Sequence, residues 1–220
     1  MYKACIFDLD GTLTDTLESL TYSVNATLNE MGMNPITEEQ CKSFVGNGAR
    51  RLLELSIQAA GDRNAERIEE AVEIYRRIFK TRCTYHVAPY EGIVEMLDML
   101  KTQGIKMAVL SNKPHSQTKD VVANFFQKDI FASVRGQQEG VPRKPDPAAV
   151  FLILEEFQVA PEECLYIGDS EVDMDTGHAA GVDTIGVTWG FRTRETLISH
   201  GANYIVNKAE EIISIVKGAK

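Results

Sequence analysis

The chain has 220 residues, 44% hydrophobic and 25% charged, so it can bury a substantial core and is too apolar to be disordered. Its net charge of −9 argues against a nucleic-acid or anionic-membrane surface, and no apolar stretch approaches a membrane span in length. The N-terminal apolar run is too short for a signal-peptide core, so we expect a cytoplasmic protein. The four cysteines form no C-x-x-C pair, which argues against a zinc or redox motif.

Short apolar runs alternate with helical patterns along most of the chain. The first run, at residues 4–7, leads to the turn signal Gly11-Thr12, which favours a strand. Helices are predicted at residues 94–100, closed by Gly104, and at 148–157, entered through Pro147. This alternation predicts an α/β protein with a Rossmann-like parallel sheet and helices on both faces. Further strand-like runs occur at residues 106–110, 164–167, 184–187 and 204–206.

The segment between the first two strands has a different pattern, with helical periodicity and no convincing strand. We therefore predict an α-helical insertion, with linkers near residues 14–16 and 87–92. The resulting division is a core domain of residues 1–14 and 90–220 and a helical domain of residues 15–89. One apolar face of the insertion carries Leu17, Leu20, Val24, Leu28 and Met31.

Polar side chains stand where the predicted strands end. In an open parallel sheet, ligands bind at the carboxyl ends of the strands, so these side chains are candidates for a site. Lys144 lies in a segment that opens a helix. The side chains at the strand ends are Asp8 and Asp10 after the first strand, Ser111, Asn112 and Lys113 after the second, and Asp169 and Asp173 after the run at 164–167.

These residues form four ordered motifs that resemble those of the haloacid dehalogenase (HAD) superfamily. The first is D-x-D-G-T at residues 8–12, and the second is Ser111 at a strand end. The third is Lys144, and the fourth is G-D-S-x-x-D at residues 168–173. The resemblance covers essentially the whole chain, and four motifs in the expected order are far more specific than a lone D-x-D.

The resemblance implies a phosphatase that uses Asp8 as a covalent nucleophile. A carboxylate attacks the phosphorus of an anionic ester when a divalent cation neutralises the charge, which gives an aspartyl-phosphate. Asp10 would donate a proton to the leaving group and then take one from the hydrolytic water. The presence of Asp10 favours phosphate-ester chemistry, because related dehalogenases and phosphonate-cleaving enzymes lack an aspartate at that position.

The resemblance also implies a Mg²⁺ site and a phosphate site. The metal ligands would be Asp8, the backbone carbonyl of Asp10 and Asp169, with Asp173 acting directly or through water. Lys144 would pair with Asp8 and the transferring phosphoryl group. The phosphoryl oxygens would be bound by Ser111 and by the backbone amide of Asn112.

The helical insertion resembles the C1 cap of the same superfamily, and its segment at residues 44–52 resembles the cap loop of phosphoglycolate phosphatases. The glycines would let the backbone approach a ligand, and Arg50 would pair with a substrate carboxylate. This makes 2-phosphoglycolate the first expected substrate and a small phosphorylated metabolite the expected partner. The tentative substrate residues of the cap are Gly46, Asn47, Gly48 and Arg50.

Several alternatives stay open at this stage. The same motifs occur in pyrophosphatases and in a β-phosphoglucomutase-like phosphotransferase, and a non-catalytic phosphate-binding regulator is a further alternative. Ser111 could cap the following helix, and Arg50 could be a surface arginine beside a simple turn. The sequence does not determine the oligomeric state or the physiological substrate.

Overall fold

The structure is a computed structural model that describes residues 1–218. Eight strands and ten helices occur in this part of the chain, together with a 3₁₀ turn at Pro161–Glu163. The strands are β1 Ala4–Phe7, β2 Thr14–Asp15, β3 Ala88–Pro89, β4 Lys106–Pro114, β5 Ser133–Gln137, β6 Cys164–Gly168, β7 Asp183–Val187 and β8 Tyr204–Val206. The helices are α1 Leu17–Glu30, α2 Glu38–Phe44, α3 Gly48–Ala59, α4 Ile68–Arg82, α5 Ile93–Thr102, α6 His115–Phe125, α7 Ala148–Phe157, α8 Glu171–Ala180, α9 Arg194–Ser199 and α10 Ala209–Val216.

Six strands form one parallel sheet in the order β5-β4-β1-β6-β7-β8. β1 is central, and Phe7 at its end lies opposite Val109 of β4 and Ile167 of β6. β4 continues beyond this level to Pro114, so its residues from Ser111 onward lie at the same edge of the sheet as the residues that follow β1 and β6. The predicted fold class, a Rossmann-like α/β sheet with an inserted helical unit, is confirmed.

The central strand packs against apolar layers on both of its faces. Cys5 and Phe7 belong to one buried cluster, whereas Ala4 and Ile6 belong to another. Successive side chains of a strand point to opposite faces, so this division places one cluster on each side of the sheet. A continuous apolar run is what a strand buried on both faces requires, since neither face contacts water.

Helices α1 to α4 lie between the two short strands β2 and β3, which pair antiparallel. The four helices share a hydrophobic cluster of their own, which includes Leu28, Leu53, Ile57 and Phe79. The predicted linkers fall at the β2–β3 pair, where the chain leaves and re-enters the sheet region. The domain boundaries of 1–14, 15–89 and 90–220 remain a prediction. We use "cap" below for helices α1 to α4 and the loops that join them.

Helix α2 and strand β5 are among the elements that the sequence analysis did not single out. Helix α2 is short, but it begins with a capping box in which Thr37 and Gln40 exchange hydrogen bonds. Strand β5 is an edge strand that carries Arg135 and Gln137 and is mostly half-buried, so it lacks the apolar run of an interior strand.

Within residues 1–218, no helix is both long and apolar enough to cross a membrane.

Candidate active site

Three carboxylates meet at the carboxyl edge of the sheet. Asp8 follows β1, Asp169 follows β6, and Asp173 lies in the first turn of α8. One oxygen atom from each lies within 4.8 Å of the others, and all three residues are buried. The structure therefore brings together residues that are as many as 165 positions apart in sequence, because parallel strands end side by side.

Asp8 is held in a buried and strongly charged environment. Its Oδ1 atom lies 2.9 Å from Nζ of Lys144, but it is buried and accepts no well-aligned hydrogen bond. Burial raises the pKa of Asp8 to about 7; Lys144 opposes this shift, and the charge of Asp173 adds to it. A buried carboxylate oxygen that lacks a good donor is suited to bind a cation or to act as a nucleophile.

Lys144 is buried between two carboxylates. Its Nζ atom lies 2.9 Å from Asp8 and donates to Asp173 Oδ1 at 2.7 Å. Burial alone would lower the pKa of Lys144, but the two carboxylates outweigh burial and raise the pKa well above its usual value. The backbone of Lys144 is fixed as well, because the Asn112 side chain accepts from its N–H at 3.0 Å and donates to its carbonyl at 3.1 Å.

Asp173 has hydrogen-bond partners on both carboxylate oxygens. Oδ1 accepts from Lys144, and Oδ2 accepts from the Ser170 backbone at 3.1 Å and from its hydroxyl at 2.6 Å. These contacts orient Lys144 and begin helix α8. Direct metal binding by Asp173 stays a prediction, and a cation would share an oxygen that already accepts hydrogen bonds.

Asp169 is fixed by two donors and by two glycines. Thr12 donates from its hydroxyl at 3.0 Å, and the backbone N–H of Phe191 donates at 2.7 Å. A side chain at Gly11 or Gly190 would overlap the Asp169 carboxylate, so the chain passes close to it on both sides. Burial and the charges of neighbouring carboxylates raise the pKa of Asp169 well above its usual value.

Asp10 lies at the side of this cluster and pairs with a buried lysine. Its Oδ1 atom accepts from Nζ of Lys113 at 2.9 Å. The Lys113 side chain is only 1% exposed, and its ammonium lies 4.7 Å from the centre of the Phe79 ring in the cap. Lys113 stands beside two predicted site residues in the sequence, but no role was predicted for it.

Ser111 and Asn112 line the same cavity at the end of β4. Both are buried, and the Ser111 hydroxyl accepts from the backbone N–H of Lys113 at 3.2 Å. Helix α6 begins only at His115, with Pro114 at its N-cap, so Ser111 is not the cap of that helix. The predicted phosphate-binding roles of Ser111 and Asn112 remain predictions.

The cap closes the cavity with an apolar wall and with the loop before α3. Gly46 and Gly48 line the cavity and have φ angles of 127° and 83°, which favour glycine. Between them, Asn47 accepts from Arg143 of the core through its carbonyl. The apolar wall consists of Leu20, Val45, Ala49, Leu52, Tyr75 and Phe79.

The structure does not bring Arg50 to this cavity. Its side chain is 55% exposed and forms an ion pair with Glu69 at 2.5 Å on the cap surface. The reason is its position near the start of α3, where the helix turns the side chain towards α4. The surface-arginine alternative therefore describes where Arg50 lies, and its predicted role in binding a substrate carboxylate is not supported by this position.

Arg192 joins the core to the cap beside the cavity. Its guanidinium donates to Glu171 of the core at 2.8 Å and to the backbone carbonyls of Lys42 and Val45 in the cap at 3.0 and 2.6 Å. We did not predict this residue, because no motif includes it and its partners are about 150 positions away. Thr12 and Ser170 also lacked predicted roles, although both stand inside the quoted motifs.

The site has aspartates at adjacent strand ends of a parallel sheet, a buried lysine among them and a helical cap above them. Together these features define a class of hydrolases. The profile of the haloacid dehalogenase-like hydrolase family matches residues 5–187. The chain belongs to this family, and the resemblance inferred from its four motifs is confirmed.

The similar proteins are mainly phosphoglycolate phosphatases. That of Rhodospirillum rubrum is 34% identical over 210 residues, covering 92% of this chain and 86% of the relative. That of Haemophilus influenzae Rd is 28% identical and covers 98% of both chains. A crystal structure from Lactobacillus delbrueckii subsp. bulgaricus superposes with a TM-score of 0.90 at 31% identity, covering 98% of each chain. The predicted enzyme class, a phosphatase hydrolase, is confirmed.

Proposed function

We propose that this protein is a Mg²⁺-dependent phosphatase that hydrolyses small phosphate monoesters, with 2-phosphoglycolate as its substrate. The observation that carries the proposal is the buried cluster at the sheet edge, where Asp8 lies between Lys144 and Asp169 with Asp10 beside them. The proposed partners are small phosphorylated metabolites, and the proposed location is the cytoplasm.

The residues present fit a divalent cation. Asp8 and Asp169 offer carboxylate oxygens within 4.8 Å of each other, and Asp8 Oδ1 accepts no well-aligned hydrogen bond. An all-oxygen donor set suits Mg²⁺. Asp8, Asp169 and the backbone carbonyl of Asp10 are the proposed ligands, with Asp173 contributing directly or through water. When bound, the cation neutralises the charge of the phosphate ester against the attacking carboxylate.

Asp8 and Asp10 carry out the chemical steps of the proposed reaction. Asp8 attacks phosphorus, a P–O bond forms to its carboxylate, and the bond to the ester oxygen breaks. Asp10 gives its proton to the departing alkoxide, which leaves as an alcohol. Asp10 then takes a proton from water as that water attacks the aspartyl-phosphate, and inorganic phosphate and free Asp8 result.

The remaining site residues position the phosphoryl group. Lys144, fixed between Asp8 and Asp173, places a positive charge beside the nucleophile. The Ser111 hydroxyl and the backbone amide of Asn112 are proposed to donate to phosphoryl oxygens. Asn112 has a second role, because its side chain holds the backbone of Lys144.

Two observations support a small substrate such as 2-phosphoglycolate. The cavity under the cap is about 50 Å³, which is room for only a few water-sized groups. The relatives from Haemophilus influenzae Rd and Rhodospirillum rubrum, which match the chain over most of its length, are phosphoglycolate phosphatases. A two-carbon acid adds little to the phosphoryl group and so suits a cavity of this size.

The test is phosphate release in the presence of Mg²⁺ from a panel of 2-phosphoglycolate, pyrophosphate, hexose phosphates and nucleoside monophosphates. We expect 2-phosphoglycolate to have the highest kcat/KM, EDTA to stop turnover, and added Mg²⁺ to restore it. Preference for another ester would replace the substrate and leave the Asp8 mechanism in place. Absence of release from every compound would favour the phosphotransferase or regulator alternatives.

A further inference from the structure

Lys113 is a buried lysine that the proposed reaction steps do not use. Its side chain is 1% exposed, and its ammonium lies 2.9 Å from Asp10 Oδ1 and 4.7 Å from the centre of the Phe79 ring. Lysine is rarely buried, because removing an ammonium from water is costly unless its charge is compensated. One carboxylate that itself faces the cavity is incomplete compensation, so the burial of Lys113 suggests a further ligand.

The ammonium has donor capacity left for such a ligand. A lysine carries three N–H donors. Within residues 1–218, Asp10 is the one hydrogen-bond acceptor of Lys113 Nζ, and the lysine side chain lines the cavity. The Phe79 ring attracts the charge through its π face but leaves the other N–H groups without an oxygen or nitrogen acceptor.

The other cations near the cavity already have their partners. Lys144 is held between two carboxylates, and Arg192 donates to Glu171 and to two backbone carbonyls of the cap. Arg50 lies outside the cavity on the cap surface. Lys144 and Arg192 therefore have partners or a role in the proposed reaction, and Lys113 is the remaining cation among the described residues that line this cavity.

Asp10 determines which part of the substrate Lys113 faces. In the proposed reaction, Asp10 protonates the ester oxygen, so a group that contacts Asp10 lies on the leaving-group side. Lys144 instead contacts the nucleophile Asp8. A carboxylate on the carbon next to the ester oxygen would lie close to Asp10 and within reach of Lys113.

We propose that Lys113 determines leaving-group specificity, and that its ammonium binds the carboxylate of substrates whose phosphate ester stands on the carbon next to that carboxylate. This inference rests on the proposed function and names the group that recognises its substrate class. An ammonium–carboxylate hydrogen bond is charge-assisted and strong in a buried site. Esters of neutral alcohols would leave the Lys113 donors unsatisfied against the apolar cap wall.

The test compares wild type with Lys113→Gln on 2-phosphoglycolate and on ethyl phosphate, in which a methyl group replaces the carboxylate. We expect kcat/KM to fall roughly 10- to 100-fold further for 2-phosphoglycolate than for ethyl phosphate. Lys119→Gln, an exposed lysine on the following helix, is the matched control and should leave both values unchanged. Glycolate should inhibit ethyl phosphate hydrolysis by wild type and lose potency by a similar factor in Lys113→Gln.

Equal losses on both substrates would overturn the inference, because Lys113 would then act only by orienting Asp10. If Lys113→Gln does not fold, Lys113→Met keeps the length of the side chain without the ammonium, and an unchanged inhibition constant for glycolate would count against the inference. Failure of the proposed function would give a different experimental result. In that case wild type itself would show no preference for 2-phosphoglycolate over ethyl phosphate.

Discussion

At the scale of single residues, the site concentrates negative charge that one buried lysine only partly balances. Asp8, Asp169 and Asp173 lie within 4.8 Å of one another, and Lys144 contacts two of them. Burial raises the pKa values of Asp8 and Asp169, and the like charges of neighbouring carboxylates add to this effect. A bound cation would supply the missing positive charge.

The nucleophile prediction concerns Asp8→Asn. The amide keeps the shape of the side chain and cannot form an acyl-phosphate, so we expect turnover to fall by at least about 1,000-fold. Phosphate release under saturating Mg²⁺ measures the change. Activity within a few-fold of wild type would contradict the role of Asp8.

The same variant should stabilise the metal-free protein at neutral and higher pH. The pKa of Asp8 is about 7 in the folded chain and near 3.8 when unperturbed, so the folded state binds the proton more tightly than the unfolded state. The cost of ionising Asp8 therefore grows as pH rises from about 4 to about 7. Thermal unfolding in EDTA should give Asp8→Asn a higher Tm than wild type at pH 8, and the difference should shrink towards pH 4. A lower Tm at pH 8 would contradict this account.

We expect Asp169 and Asp173 to have different roles, with Asp169 binding the metal and Asp173 positioning Lys144. Asp169→Asn is expected to weaken Mg²⁺ binding by roughly 10- to 100-fold, because it removes a proposed ligand charge. Asp173→Asn should mainly lower kcat, because its contacts orient Lys144 and Ser170. Activation curves over Mg²⁺ concentration measure both effects, and an equal shift in the two variants would make Asp173 a ligand as well.

At the scale of elements, a short segment of the cap is held by side chains of the core. Arg192 donates to the carbonyls of Lys42 and Val45, Asn112 donates to the carbonyl of Gly46 at 2.9 Å, and Arg143 donates to that of Asn47. Backbone carbonyls are present whatever the cap sequence. These contacts therefore fix the position of the loop and do not depend on its side chains. The loop lines the cavity and must move when the cap opens.

Arg192→Ala should weaken cap closure without touching the nucleophile. We expect KM for 2-phosphoglycolate to rise by roughly 10-fold, since two hydrogen bonds from a charged donor to the cap are lost. Steady-state kinetics measure the change. Arg192→Lys should restore little, because one ammonium does not reproduce the fork of the guanidinium, and Arg194→Ala at an exposed neighbouring position is the control. Equal kinetics for Arg192→Ala and Arg194→Ala would contradict a closing role.

At the scale of the whole molecule, a chain of net charge −9 presents a cationic groove beside its cavity. The groove runs between cap and core and also contains the carboxylates of Asp120 and Glu139. Local positive charge attracts an anionic substrate in spite of the overall charge, and dissolved salt screens that attraction. The cations of the groove are Arg50, Arg76, Lys80 and Arg143.

This groove predicts salt-sensitive catalysis. We expect kcat/KM for 2-phosphoglycolate to fall several-fold between about 20 mM and about 300 mM NaCl, with kcat less affected. The double substitution Arg76→Gln and Lys80→Gln should flatten that dependence. The same change at the exposed residues Lys119 and Lys128 should leave it as in wild type. An identical salt dependence in both double variants would remove the steering role of the groove.

The sequence by itself determined the chemical core of this protein. Asp8, Asp10, Ser111 and Asp169 stand at or near predicted strand ends, and parallel strands place their ends at one edge of a sheet. Lys144 was identified as the third of the four ordered motifs. A local sequence pattern therefore predicted that residues far apart in the sequence lie close together in the structure. The inserted helices were predictable for a similar reason, since a face of apolar residues at helical spacing identifies an amphipathic helix without its partner.

Only the tertiary structure decided which charges the cavity contains and how the cap contacts the core. The sequence favoured Arg50 as a carboxylate ligand, but the direction of a helical side chain depends on the packing of α3 against α4, and it faces Glu69. Lys113 was recognised only as a polar residue at a strand end, and Arg192 was not singled out. Nothing local reveals burial against Phe79 or contact with carbonyls about 150 residues away. Such contacts arise from how separate elements pack, and no short sequence pattern encodes them.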